Sequence, residues 1–370
     1  ADRFVCALLL GFARAYQAAA HNRCRPAVDH FERLPPTIRA SARVMTQLGR
    51  LYFELGDYPR AESHFNWAWE HQPYRVEGLE AYSTLLWHTR QLTALSHLAH
   101  TLAALHRRTP EAWCAVGNCF SLQCQHAAAL GCFERASQLD SQFVYAYTLA
   151  GHEHIAYQQD WTQAQQCFRT ALRLDPRHYN AWYGLGLTFH QCDQEDLAAF
   201  HFTRALELYP HNPTLHCALG MVREKQQDHT AALAHYERAI EAAATHGAGA
   251  GPDTSLPSHY HPQAGFARFK RASLLVQAER YHEALADLAL LKAAVPHEAN
   301  IYFLAAQIHQ HLNQADQAVL CYGWALDLDP QSAPLITEAM EKLDVDLRTT
   351  MLSSRPSTPE PNGLSAEPFF

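Results

Sequence analysis

The chain is short of several things that whole classes of protein need. No apolar run approaches 18 residues and no signal peptide opens it, so a membrane span is not expected and a soluble protein is. It has no glycine-rich phosphate loop, no GxSxG and no HExxH, which removes the common nucleotide-binding, serine-hydrolase and zinc-protease chemistries. Lysine is scarce, with four in 370 residues, and 29 Lys+Arg against 37 Asp+Glu leave a net charge of -8. Without a basic patch in that balance, nucleic acid is not an expected partner. Cysteine is plentiful, but the spacing of paired cysteine is missing. The ten have no CxxC, and Cys114, Cys119, Cys132, Cys167, Cys217 and Cys321 fall in predicted helices, as small reduced core residues do. The 25 histidines include the i, i+2 pairs His152/His154 and His259/His261. On a helix such a pair diverges, and the second pair has no acid or thiol nearby in sequence, so no metal or other cofactor is expected.

What the chain does have is a period. Small residues recur 34 apart at Gly49, Ser83, Gly117 and Gly151, then at Gly186 and Gly220, then at Ala272 and Ala306. The clearest unit, 179–212, carries Trp182, Leu185-Gly186 and Phe189 in its first half, Ala198, Phe202 and Ala205 in its second, and Pro210 near its end. Ala, Phe and Ala at i, i+4 and i+7 share one helical face. A small residue at the eighth position lets two helices approach, aromatics fill the space beside them, and proline marks the turn onward. This is the tetratricopeptide-repeat (TPR) pattern. The fold class it predicts is all-α: a right-handed TPR superhelix built from helix pairs, which works by presenting a long surface to a partner.

Nine units follow: 8–41, 42–75, 76–109, 110–143, about 144–178, 179–212, 213–246, 265–298 and 299–332. The first, within a weak amino-terminal repeat region 1–41, is carried mainly by Ala15, Ala27, Phe31 and Leu34. The main array is then 42–246, with two further repeats at 265–332. Gly151 to Gly186 is 35 residues, which predicts one extra residue in the Tyr157–Trp161 turn. Between the two groups of repeats, 247–264 is rich in Gly, Pro, Ser and His and is expected to be a disordered insertion. Residues 333–347 read as a capping helix with Leu335, Ile336, Ala339, Met340 and Leu343 on one side, and 348–370 as a disordered tail. The chain opens at Ala1, which reads as a piece of a longer protein.

Several stretches go beyond a generic repeat: Tyr74–Ser83 with Leu86–His88, Pro110–Gln123, Tyr145–Glu153, Pro176–Gly186, Arg271–Ser273 and Trp324–Pro330. In order and spacing they resemble the carboxy-terminal TPR array of the cell division cycle protein 27 family, the BimA-type subunit of the anaphase-promoting complex/cyclosome. The likeness covers about residues 1–332. It implies a non-catalytic scaffold subunit of a ubiquitin ligase, resident in nucleus and cytoplasm. Its array would bind other subunits of the complex and the carboxy-terminal Ile-Arg tails of coactivators and of a small core subunit. The family homodimerises through an amino-terminal half that this chain lacks, and the 247–264 stretch departs from the family pattern. Another TPR subunit of the same complex, and a generic peptide-binding adaptor, stay open as alternatives. A chaperone-type clamp for acidic tails needs Lys at the fifth position of a repeat, where this chain has Thr46, Glu80, Cys114, Thr148 or Tyr183.

Positions 2, 5, 9 and 12 of each first helix face the inner surface of a TPR array. The candidate tail-binding residues are therefore Glu77, Glu80, Thr84 and Trp87 in one unit, Glu111, Asn118 and Ser121 in the next, Tyr145, Thr148 and His152 in the third, and Asn180 and Tyr183 in the fourth. The three glutamates are expected to gather as free carboxylates for a guanidinium. Asn118, His152 and Asn180 would donate to a terminal carboxylate, and Trp87, Tyr145 and Tyr183 would wall an isoleucine.

Overall fold

The computed structural model describes residues 2–247 and 262–342. Among the described residues no strand occurs, and no helix is long and apolar enough to cross a membrane. The chain divides into two compact units, Ala1–Ala267 and Arg268–Phe370.

In the first unit helices pair in sequence. They are α1 (Asp2–Ala20) with α2 (Cys24–Glu32), a one-turn α3 (Pro36–Arg39), α4 (Ala42–Glu54) with α5 (Tyr58–His71), α6 (Leu79–His88) with α7 (Leu92–Leu105) and α8 (Pro110–Leu122) with α9 (His126–Leu139). They continue as α10 (Val144–Gln158) with α11 (Trp161–Leu174), α12 (Tyr179–Gln191) with α13 (Glu195–Leu208) and α14 (Pro213–Lys225) with α15 (His229–Gly247). Helix starts follow local chemistry. Asp57 accepts from Arg60 N and Asp160 from Gln163 N, while Pro110 and Pro213 open their helices where no N–H is needed.

The contact inside each pair is the predicted one. A Cβ placed on Gly117, Gly151, Gly186 or Gly220 would lie 2.4–2.6 Å from the ring of Phe133, Phe168, Phe202 or Tyr236, so these four aromatics stand directly on the glycines. All four rings are buried. Turns between paired helices use a residue in the left-handed region, such as Arg90, Cys124, Asp193 and Gln227, and glycine stands there at Gly56. The extra residue expected in the Tyr157–Trp161 turn lengthens α10 to 15 residues, and Gln159 takes the left-handed position.

The second unit takes up α16 (Pro262–Gln277), which begins in the first, and continues with α17 (Tyr281–Ala294), α18 (Ala299–His311) and α19 (Ala315–Leu328). Asp287 is buried there and accepts from Arg271 Nε at 2.7 Å, with a second contact from the same guanidinium, so the charge is paired in a fork. Residues 333–342 are helical. Ile336 is buried, and Ala339 and Met340 pack on Tyr322 and its neighbours, whereas Leu335 points outward at 65 % exposure rather than joining them. Leu343 and the rest of 343–370 lie outside the described residues.

The predicted insertion is corrected at both ends. Gly247 closes α15, and Pro262–Ala264 form the first turn of α16, with Ala264 buried and the Cys217 thiol 3.7 Å from Gln263 O. Residues 248–261 lie outside the described ones. All ten cysteines are free thiols.

Candidate peptide-binding groove

The first helices α6, α8 and α10 present their inner positions to one another as well as to the groove. Asn118 Nδ2 donates to Ser83 Oγ at 2.9 Å and to Thr84 Oγ1 at 3.2 Å. Tyr145 donates to the same Thr84 Oγ1 at 2.7 Å, and Thr148 donates to Tyr145 O. A second chain runs from Trp87 Nε1 to Ser121 Oγ at 3.2 Å, then from Ser121 to Glu153 Oε2 at 2.7 Å, with His126 Nδ1 2.6 Å from Glu153 Oε1. These residues form a polar ladder that ties three successive repeats together.

Three expectations about the groove are therefore corrected. Asn118 is buried and spends both its N–H bonds on Ser83 and Thr84, so it has none for a ligand carboxylate. Glu80 is buried, accepts from Gly78 N at 3.1 Å, and is paired with Arg50. Glu77 is paired with Arg75. Arg50 holds the ninth position of the preceding repeat, so one groove position answers another across the repeat boundary. Glu111 makes no ion pair among the described residues. It is half-buried, and burial raises its carboxyl above the ordinary value.

Trp87 and Ser121, bonded to each other in the ladder, stay outside the cavity on which the six remaining members of the set converge, a space of about 200 Å³. Thr84, Tyr145, Thr148, His152, Asn180 and Tyr183 all line it. The Asn180 side chain forms no hydrogen bond among the described residues. His152 lies edge-on to Phe168, with centroids 5.1 Å apart. Its pKa is lowered to about 4, first by burial and then by the charges of His88 and His178, so it is neutral at pH 7.

Sequence reasoning missed the cavity's carboxylate. Glu54, the last residue of α4, lines it together with Phe53, Tyr58, His88 and Tyr179. The Tyr179 hydroxyl donates to Glu54 Oε2, and Oε1 has no hydrogen-bond partner among the described residues. Burial pushes the Glu54 carboxyl above its ordinary value, while the Tyr179 hydrogen bond and the Arg50 charge pull it back. Glu54 sits at the thirteenth position of its repeat, one past the inner set, and its partner is 125 residues away, so the repeat period carries no signal for it. The arrangement is a carboxylate in a wall of tyrosine rings, with an amide facing the same space. Such a site suits a cationic group with a polar neighbour.

Tetratricopeptide-repeat profiles match residues 156–213, 194–247 and 299–332. Fold and groove thus define a tetratricopeptide-repeat array. Anaphase-promoting complex subunit 3 of Schizosaccharomyces pombe is 37% identical over 344 residues, which is 93% of this chain and 49% of that protein. Protein bimA of Emericella nidulans is 41% identical over 210 residues, 57% of this chain and 26% of that one. The crystal structure of the APC/C hetero-tetramer Cut9-Hcn1 matches with a TM-score of 0.68, covering 86% of this chain and 58% of that chain at 18% identity, a likeness of fold alone. The chain belongs to the cell division cycle protein 27/BimA family and is a TPR portion of such a protein. It spans about half or less of the length of these curated relatives.

Proposed function

We propose that this chain is the tail-receiving array of an anaphase-promoting complex subunit, a scaffold that binds carboxy-terminal Ile-Arg tails of coactivators and of a small core subunit and carries out no chemistry itself. The observation that supports it is the Glu54 cavity. Glu54 Oε1 would accept the guanidinium, Tyr145, Tyr179 and Tyr183 would face its plane, and the Asn180 amide would donate to the terminal carboxylate. Burying one isoleucine contributes about 1.5–3 kcal/mol. A charge-assisted hydrogen bond adds about 1.5–3 kcal/mol, and association costs at least about 4 kcal/mol. One tail alone therefore binds weakly, and assembly needs contacts with other subunits or a second tail.

Fluorescence anisotropy with a short peptide ending in Ile-Arg tests the reading. Saturable binding that is lost when the terminus is amidated supports it. Equal binding of free and amidated peptides, or none, overturns it. The same reading carries an expectation of residence in nucleus and cytoplasm, which imaging of the tagged full-length protein checks.

A further inference from the structure

The first unit touches itself across a long stretch of chain. Asn22 Nδ2 donates to Leu208 O at 3.0 Å, 186 residues away. Arg177 donates to Ala20 O at 3.2 Å. The Cys24 thiol lies 3.4 Å from the Tyr209 hydroxyl, which also reaches Glu54 O at 3.4 Å, and the Tyr209 ring is edge-on to Tyr179 at 5.3 Å. Tyr179 in turn holds Glu54. The first two repeats thereby clasp the sixth.

This clasp differs from the rest of the array. Elsewhere the repeats pack mainly on their sequence neighbours, as such arrays do, with the Tyr145–Thr84 hydrogen bond reaching from the fifth repeat to the third. The clasp adds side-chain contacts between repeats that are not neighbours, and two of its donors sit at helix ends. Asn22 has a left-handed backbone, φ 53°, in the α1–α2 turn, and Arg177 lies in the α11–α12 turn. The packing of consecutive helices continues without it.

The cavity straddles the clasp. Phe53, Glu54 and Tyr58 come from the second repeat, and Tyr179, Asn180 and Tyr183 from the sixth. We infer that occupation of this cavity and closure of the clasp are one coupled equilibrium: the two walls face each other only when the first two repeats rest on the sixth, so a ligand that touches both walls holds the clasp shut. A ligand with more contacts in the closed form shifts the population toward it, and by linkage anything that loosens the clasp weakens the ligand. The inference rests on the proposed tail site and adds its regulation: a partner bound on the Asn22–Arg177 edge would tune tail affinity without touching the tail.

Cys24 reports the state of the clasp. It is 5 % exposed against Tyr209, and burial raises its pKa to about 12. Cys114 is 0 % exposed within the α8 repeat and reports general unfolding instead. The experiment is site-resolved N-ethylmaleimide labelling by mass spectrometry on the full chain, with and without the Ile-Arg peptide, for the parent and for Asn22→Ala/Arg177→Ala. Saturating peptide should slow Cys24 labelling about fivefold or more and leave Cys114 unchanged. The double variant should label faster at Cys24 alone and bind the peptide about fivefold or more weakly, although neither residue lines the cavity. A parent that binds the peptide while Cys24 labelling stays the same overturns the inference and leaves the proposed function standing, as does a double variant with open Cys24 and parental affinity. A parent that binds no such peptide overturns both. If the double variant also exposes Cys114, Tyr209→Phe, which removes only the hydroxyl, replaces it in the same comparison.

Discussion

Replacing Glu54 with Gln separates what a half-buried carboxylate does for folding from what it does for a ligand. The amide keeps the shape, and its oxygen still accepts the Tyr179 hydroxyl, so the main change is charge. Burial is the largest influence on this group and lifts its folded pKa above the ordinary 4.5. The folded chain therefore holds this proton more tightly than the unfolded chain does. Ionised Glu54 costs stability at neutral pH, and the cost is relieved as pH falls through the raised folded value toward 4.5. Glutamine carries no such cost. The variant should melt at or above the parent at pH 7, with the gap closing toward pH 4.5. Affinity should move the other way. Loss of a charge-assisted pair costs about 1.5–3 kcal/mol, which is roughly ten- to a hundredfold in Kd for an Ile-Arg peptide. Thermal melts across this pH range and anisotropy titrations on the same preparations measure both. A variant that melts lower at pH 7 and binds like the parent would show that Glu54 is only an anchor for Tyr179, and the assignment of the cavity would fail.

The two asparagines should separate in the same way. Asn118→Ala removes the two hydrogen bonds that tie α8 to Ser83 and Thr84 of α6 and should cost about 1–3 kcal/mol of stability, while Asn180→Ala should leave the melt unchanged and weaken the peptide; the reverse pattern would reject the division of the groove. Gly186→Leu puts a Cβ 2.5 Å from Phe202 Cε1 and should cost about 1–3 kcal/mol or more, and Phe202→Ala should cost about 3–5 kcal/mol; denaturant midpoints equal to the parent's would contradict the packing. Cys124 is exposed with φ 59°. A left-handed residue costs about 1–2 kcal/mol, and glycine's extra unfolded freedom takes back about 0.5–1 kcal/mol, so Cys124→Gly should gain up to about 1.5 kcal/mol, and a loss would refute the strain. His152, His201 and His235 each have a pKa lowered to about 4, with burial the first cause. The unfolded chain protonates them near 6.5, so their stabilising contribution is present above that value and drains away as pH falls toward 4. Melting temperature should decline over that window, and replacing all three with Gln should flatten the decline; an unaltered slope counts against it.

The repeat was legible because each of its defining contacts is local. Gly186 meets Phe202 within one helix pair, 16 residues on, and the same pairing recurs wherever glycine holds the eighth position. A period of 34 therefore contains the packing, including the extra residue that lengthens α10. The inner face was legible for the same reason, since six of the twelve proposed residues do line the cavity. What the period does not contain is how far one repeat rotates from the next, which decides that the second repeat meets the sixth. Glu54, Tyr179 and the clasp at Cys24 and Tyr209 all depend on that accumulated rotation. The Arg50–Glu80 pair was within reach of sequence: positions 9 and 5 of successive repeats, opposite in charge.

The groove's polar residues divide by whether their hydrogen bonds are already made. A polar group on the inner face of a solenoid loses water to its neighbours above and below, and an unpaired one costs about 1–3 kcal/mol. Asn118, Thr84, Ser121 and Glu153 meet that requirement by bonding from repeat to repeat, and so fix the register of α6, α8 and α10. Glu54 and Asn180 keep unused hydrogen-bonding capacity where the cavity opens. A rigid polar ladder beside a few unsatisfied groups is what a short tail requires. The tail has little binding energy to spend on ordering its receptor, so the receptor has to be ordered already. Ladder variants should then report in stability and cavity variants in affinity, and a ladder variant such as Ser121→Ala that keeps its melting temperature but loses the peptide would break the distinction.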